Sequence, residues 1–269
     1  MFGTKGSDSG DMPFFEHVDA LRPRLVRSAL ALLVLFCAAF ACKEQLMAVI
    51  AGPQSPDFVT NRFFAWLAER MSSDVLRINS HPLLLINTAM AGQFNLHLSL
   101  SFYSALIVAV PYMLWELWGF VKPALTDREL RVCRKFVFYV TLCFFCGVLF
   151  GYFVLSPLSV NFLSGYIVSE QIANMIDMGS YVSLVLNLSL VCGVIFLLPV
   201  AADMLSRAGI LSAGFMKRYR RHALVVLAAL AAIVTPPDVA SMVLVMLPLY
   251  GLYELSIGIA ARHDDRMEQ

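Results

Sequence analysis

Charge is what this chain has least of. Only 14% of its 269 residues are Asp, Glu, Lys or Arg, against 59% hydrophobic, and the mean hydropathy is +0.73. A soluble globular domain carries about a quarter of its residues as charges, so that class is excluded. Catalytic signatures are missing too. The chain has no glycine-rich phosphate cradle, no H-E-x-x-H pair and no serine on a nucleophile motif with a histidine to activate it, which leaves nucleotide hydrolysis and proteolysis without their working groups. It has no internal repeat and no low-complexity tract. The first 24 residues mix Ser, Gly and both signs of charge and lead into an apolar run without a small-residue cleavage site, so no removable signal peptide is expected.

What remains is apolar length. Hydrophobic stretches lie near Ser28–Ala41, Leu98–Val121, Phe136–Leu155, Tyr181–Leu205, Ala223–Val234 and Met242–Ala261. A bilayer core of about 30 Å needs about 20 helical residues, and runs without period-2 alternation favour helices over a barrel. The expected fold is therefore an all-α integral membrane protein with six transmembrane helices. Its plan is a cytoplasmic N-terminal segment (1–24), a bundle (25–261) with an outer loop about 43–95, and a cytoplasmic tail (262–269). The fifth run is short: Ala223–Val234 spans about 18 Å of helix, which asks for a thinned bilayer or a sheltered groove. It closes on "TPPD" (Thr235–Asp238), where two prolines stop one helix and Asp238 can cap the next, giving a tight hairpin of short fifth and sixth spans.

Basic residues set the orientation. Sixteen of the 20 Lys and Arg fall in the N-terminal segment, the segments after spans two and four, and the tail, leaving Lys43, Arg62, Arg70 and Arg77 elsewhere. The positive-inside rule then puts both termini in the cytoplasm. The outer loop carries Val59, Phe63, Trp66, Leu67 and Met71 at helical spacing among Arg62, Glu69, Arg70 and Asp74; this reads as a surface helix lying on the outer leaflet or on the protein, with a binding helix as the alternative. Carboxylates inside a membrane default to function, and Glu116, Asp203 and Glu254 are the candidates. Each sits near the cytoplasmic end of its span, where an interfacial or paired acid is the plainer reading. None lies at mid-bilayer, where an ion-coupled secondary transporter, the alternative function, would want one. Of the six cysteines, Cys143 and Cys146 have the C-x-x-C spacing, but without companion ligands they read as small apolar residues. No metal or other cofactor is expected.

Five elements carry a family resemblance: "FFEHVDALRPRL" (Phe14–Leu25), "LWGFVKPALTDRE" (Leu117–Glu129), "FFCGVLFGYFVLSPL" (Phe144–Leu158), "GVIFLLP" (Gly193–Pro199) and "TPPDVASMVLVMLPLYGLYE" (Thr235–Glu254). In this order they resemble the TatC family of twin-arginine translocase subunits. The resemblance implies a glove-shaped six-helix receptor in the cytoplasmic membrane. It would bind twin-arginine signal peptides of folded precursors, export them on the proton-motive force without catalysis of its own, and self-associate and work in lipid with single-span TatA and TatB-type subunits. By position it assigns Glu129 and Phe120 to signal-peptide contact and Arg22 and Arg24 to the family's N-terminal basic pair. Pro111, Asp238 and Leu197 are assigned to structure or partner contact. Three departures stand out. The family's N-terminal acid is Ala20 here, with Asp19 and Glu16 as candidate replacements; its polar residue in span four is Leu197; and a lysine at the start of span two is His97.

Overall fold

The computed structural model describes residues 14–71, 78–79, 83–121, 136–167, 169, 174–201, 212–235 and 239–267. Their order is α1 (Phe14–Ala41), α2 (Lys43–Ile50), a 3-10 turn (Gly52–Gln54), α3 (Val59–Met71), β1 (Leu85–Ile86), α4 (Gly92–Val121), α5 (Phe136–Phe150), a π turn (Gly151–Leu155), α6 (Ser156–Gly165), β2 (Ile176–Asp177), α7 (Met178–Ile195), α8 (Ala213–Arg218), α9 (Arg220–Val234) and α10 (Val239–Met267). Among the described residues, four stretches are long and apolar enough to cross a bilayer: Leu21–Ala41, Gly92–Phe120, Val137–Gly165 and Met178–Ala201. The fifth and sixth spans are shorter, as expected: α9 has 15 residues, and the apolar part of α10 is Met242–Gly258.

Helix ends run past the apolar boundaries. The first helix starts at Phe14 rather than near Ser28, the third continues to Gly165 rather than stopping at Leu155, and α10 carries on into the tail, to Met267. Apolarity marks the lipid-buried length of a helix, whereas its ends depend on caps and breakers, so the two need not coincide. The third span also shows how a proline is absorbed. Pro157 has no N–H to return to the carbonyl of Phe153, four residues back. The helix loosens into the π turn, Ser156 donates its hydroxyl to the Gly151 carbonyl at 2.9 Å, and Thr60 of α3 donates to the Phe153 carbonyl. The Thr60 hydroxyl thus replaces the missing backbone donor at the Phe153 carbonyl, as lipid, offering none, requires.

Packing follows small residues. α5 and the π turn lie against α7 at backbone distance: a Cβ on Gly147 would come 2.5 Å from the Cys192 carbonyl, and one on Gly151 would come 2.7 Å from that of Leu188. Gly193 answers from α7, where a Cβ would meet Val148 at 2.7 Å. The G-x-x-x-G spacing of Gly147 and Gly151 is what lets two membrane helices approach this closely without a water-driven hydrophobic force. Leu155, Leu188 and Cys192 continue this contact into Leu227 and Ala231 of α9 and Val245 and Leu249 of α10, which pack as the expected hairpin. Thr235, at its turn, donates to the Ala231 carbonyl at 2.9 Å; Pro236, Pro237 and Asp238 lie outside the described residues.

At the opposite end from the α4–α5 connection, α2, α3 and the 3-10 turn form a cap fastened by amides. Asn61 donates to the carbonyls of Pro53 and Ser55 at 3.0 and 2.7 Å. Asn79, at φ 47°, donates to Asn61 Oδ1, Pro53 and Pro157, and its backbone N–H is held by Asn161 at 3.0 Å. Asparagine tolerates this left-handed geometry better than other residues with a side chain. β1 and β2 pair in parallel, Leu85 opposite Ile176, tying the cap to the start of α7.

Candidate functional site

Of the residues assigned by sequence, Arg24 and Phe120 lie where α1 meets the end of α4. The two helices pack along their lengths, which brings Arg24 and Arg27 of α1 to the residues just before the 122–135 segment. Arg24 Nη1 donates to the Glu116 carbonyl at 3.2 Å and lies so close over Gly119 that a Cβ there would meet it at 2.4 Å. Arg27 Nη1 donates to Glu116 Oε1 and Oε2 at 3.2 and 3.5 Å, and the Tyr112 hydroxyl donates to Oε1 at 2.9 Å. Glu116 is 8% exposed, and a guanidinium and a phenol supply the hydrogen bonds that a buried carboxylate needs. Trp115 stands outward on the same turn, edge-on to Tyr112 with ring centroids 6.1 Å apart, as an interfacial indole does.

A second acid repeats the arrangement. Glu254 accepts from Arg220 Nη2 at 2.8 Å and from the hydroxyl of Tyr250, four residues back, at 3.0 Å. Tyr253 donates to the Met216 carbonyl at 2.9 Å, seating α8 on α10. Both sites therefore use a Tyr-x-x-x-Glu step on one helix and an arginine from the next. The plainer reading of these acids, as paired and near a span end, is the one the geometry bears out. The tyrosines were not singled out by sequence, although their i, i+4 spacing to each glutamate was there to read.

The assigned residues are placed as follows. Arg22 is exposed on α1, Arg24 is half-buried against α4, and Phe120 is half-buried in the last turn of α4. Pro111 lies half-buried within α4. Leu197 sits in the turn after α7, its N–H on the Val194 carbonyl at 3.1 Å. Glu16, Asp19 and Ala20 are on the first turns of α1, but their side chains lie outside the described residues, as do Glu129, Asp203 and Asp238 entirely. His97 stacks on Phe40 with ring centroids 3.9 Å apart and lies 3.0 Å from its carbonyl, closing the end of α1. The five described cysteines are free, and no group of three or more potential metal ligands occurs among the described residues.

Comparison with known proteins places this geometry. A family model described as Sec-independent protein translocase protein (TatC) matches residues 16–248. The chain is 35% identical over 257 residues to a TatC protein of Blattabacterium sp. subsp. Periplaneta americana, covering 94% of this chain and 97% of that one. A TatC of Deinococcus radiodurans is 32% identical over 246 residues, covering 91% and 84%. Crystal structures described as twin arginine translocase receptor TatC superpose with TM-scores of 0.67 and, in DDM, 0.71, at 27% and 26% identity and 91% coverage of this chain. The ion-coupled transporter reading gives way to these matches, and the chain belongs to the TatC family of Sec-independent protein translocases.

Proposed function

We propose that this core subunit of a Tat protein translocase reads twin-arginine signal peptides on folded precursors. The reading surface would be the first turns of α1, the end of α4 and the 122–135 segment. The observation that supports it is the reach of Arg24 across 92 residues to the Glu116 carbonyl. That contact anchors the basic-pair helix beside the helix end from which the Glu129 segment departs. Glu129 is the charge partner for the arginine pair: a carboxylate accepts a guanidinium fork in a geometry that lysine cannot copy. Phe120 offers an apolar contact beside it, Arg22 and Arg24 bound the site, and Asp19 or Glu16 supplies the acid missing at Ala20. Glu116 and Glu254 are structural on this reading, since each already holds an arginine of the chain.

The same reading puts both termini in the cytoplasm and the α2–α3 cap outside, in line with the distribution of basic residues. The subunit acts as a receptor and transport component rather than an enzyme. It works with single-span TatA and TatB-type partners on the proton-motive force, with Pro111, Leu197 and Asp238 shaping the helices those partners meet.

The test is binding of a signal peptide carrying Arg-Arg against a matched Lys-Lys peptide. Glu129→Gln should weaken Arg-Arg binding roughly tenfold to hundredfold, the equivalent of a charge-assisted hydrogen bond of about 1.5–3 kcal/mol, and toward the lower figure because the site meets salt water. Asp19→Asn and Glu16→Gln then ask which acid completes the site, and Ala20→Glu should tighten binding if neither does. An unchanged preference for Arg-Arg in Glu129→Gln would remove this segment as the reader.

A further inference from the structure

The helix α3 is built inside out for a helix in water. Its buried positions include the polar Asn61, 1% exposed, with Ala68, 2% exposed, on the same face; its outward stripe is Val59, Phe63 and Trp66, exposed by 69%, 55% and 52%. Those three recur at i, i+4 and i+7 and form one face. Phe63 and Trp66 stack with ring centroids 6.2 Å apart, and Arg70 lays its guanidinium over the Trp66 ring, 5.5 Å from the centroid. An apolar stripe of this kind facing water, against an amide-fastened interior, marks a contact surface.

Its depth says which contact. The membrane-crossing stretch of the third span opens at Val137, the second residue of α5, and sets one edge of the bilayer. From Phe136 to Phe153 the third span rises about 26 Å at 1.5 Å per residue, and the apolar core is about 30 Å thick. Phe153 therefore lies just within the opposite edge. It is this residue that holds α3, through the Thr60 hydroxyl on its carbonyl and through Phe58, which stacks on its ring with centroids 5.4 Å apart. The start of α3 is pinned at the level where acyl chains give way to headgroups.

We infer that α3 is a membrane-interface anchor that seats Val59, Phe63 and Trp66 in the phospholipid headgroup–acyl boundary of the leaflet opposite the α4–α5 connection. The partner is the bilayer itself. Indole and phenyl rings settle at that boundary, and Arg70 stacked on Trp66 can keep its charge at the level of the lipid phosphates while its stem covers apolar surface.

The test uses the whole protein in nanodiscs and reads Trp66 as the difference in fluorescence between the native chain and Trp66→Phe, an exposed substitution that leaves the other two tryptophans in place. The quenchers are phosphatidylcholine brominated near the headgroup end of its chains, the same lipid brominated near the chain ends, and aqueous iodide. The shallow bromolipid should quench most of the Trp66 signal, and the deep bromolipid and iodide should quench little. Quenching by iodide without the shallow bromolipid would mean that α3 faces water. Protection from all three would mean that a second copy or another protein covers it. Either result overturns the anchor. Should Trp66→Phe fold poorly, Phe63→Trp in the native chain gives a second reporter on the same stripe with the same three outcomes.

Discussion

Arg27 donates to both carboxylate oxygens of Glu116 from the neighbouring span, at 3.2 and 3.5 Å, while Tyr112 donates to the same group from one turn below. An acid near the end of a membrane span invites a catalytic or transport role. Here its charge is spent on holding two helices in register. Arg220 and Tyr250 do the same for Glu254, at the other side of the bundle's sequence. The carboxylate proposed to meet a signal peptide is consequently Glu129, outside these pairs.

Arg27 and Glu116 should be energetically coupled. Arg27→Gln leaves the carboxylate facing a poorer partner and should destabilise the folded protein by about 1–2 kcal/mol, below the cost of breaking a fully buried pair because the Arg27 side chain is 59% exposed. Adding Glu116→Gln to Arg27→Gln should recover part of that loss. Thermal unfolding of the two single variants and the double variant in detergent gives the coupling. Strictly additive losses would show that the pair contributes nothing beyond its parts.

Thr60 and Pro157 should be coupled through a carbonyl that neither owns. Thr60→Val preserves shape but removes the hydroxyl that donates to Phe153, leaving a half-buried carbonyl without that donor at a cost of about 1 kcal/mol. Pro157→Ala restores a backbone N–H able to take that carbonyl and so should make Thr60→Val cheaper. A Thr60→Val penalty of the same size in both backgrounds would mean that the hydroxyl matters for α3 docking alone.

Much of this was legible in the sequence, for definite reasons. The six spans follow from apolar length, the Val59–Met71 helix from 3.6-residue spacing, and the short α9–α10 hairpin from Thr235-Pro-Pro-Asp. What composition could not give was partnership over long sequence separations. Asn61 and Asn79 are 18 residues apart, and Asn79 meets Pro157 across 78. No local pattern links them, because the contact exists only once the cap has folded onto the third span. Helix ends were misplaced for a related reason: hydropathy registers lipid, while α1 and α10 continue into water on backbone hydrogen bonds that hydropathy does not see. The family resemblance supplied the site residues, and the pairing of Arg24 with the end of α4 came only from the fold.

The close approach of α5 to α7 makes a steric prediction. Gly151→Ala places a methyl 2.7 Å from the Leu188 carbonyl, backbone that cannot swing aside. Overpacking of this kind costs about 1–3 kcal/mol. Gly251→Ala on α10 is the control, because a Cβ there meets nothing within 4 Å. The two should differ clearly in unfolding temperature; equal stability would mean that α5 and α7 part easily.

Orientation is open to chemical labelling. In a chain whose native cysteines are replaced, single cysteines at Asp127 and Gly214 should react only with reagents admitted to the cytoplasm, and those at Ser72 and Asn174 should react from outside. Labelling of Ser72 from the cytoplasmic side would invert the arrangement and move the α3 cap inside.

The shortness of the fifth span can be separated from its packing. Leu227 and Ala231 of α9 meet Val245 and Leu249 of α10, so inserting four leucines after Leu230 lengthens the helix by about 6 Å and also turns the residues beyond it by about 40° relative to their partners. The insertion should leave the protein in the membrane, since it only adds apolar length, and should impair export of a folded twin-arginine precursor. A matched four-residue insertion in the facing part of α10 restores the register of the hairpin while keeping both helices long. If export depends on a thinned bilayer or a sheltered groove beside α9, the doubly extended chain should remain impaired although its unfolding temperature returns toward that of the parent. Recovery of export along with stability would assign the defect to helix register, and the length of α9 would then have no part in transport.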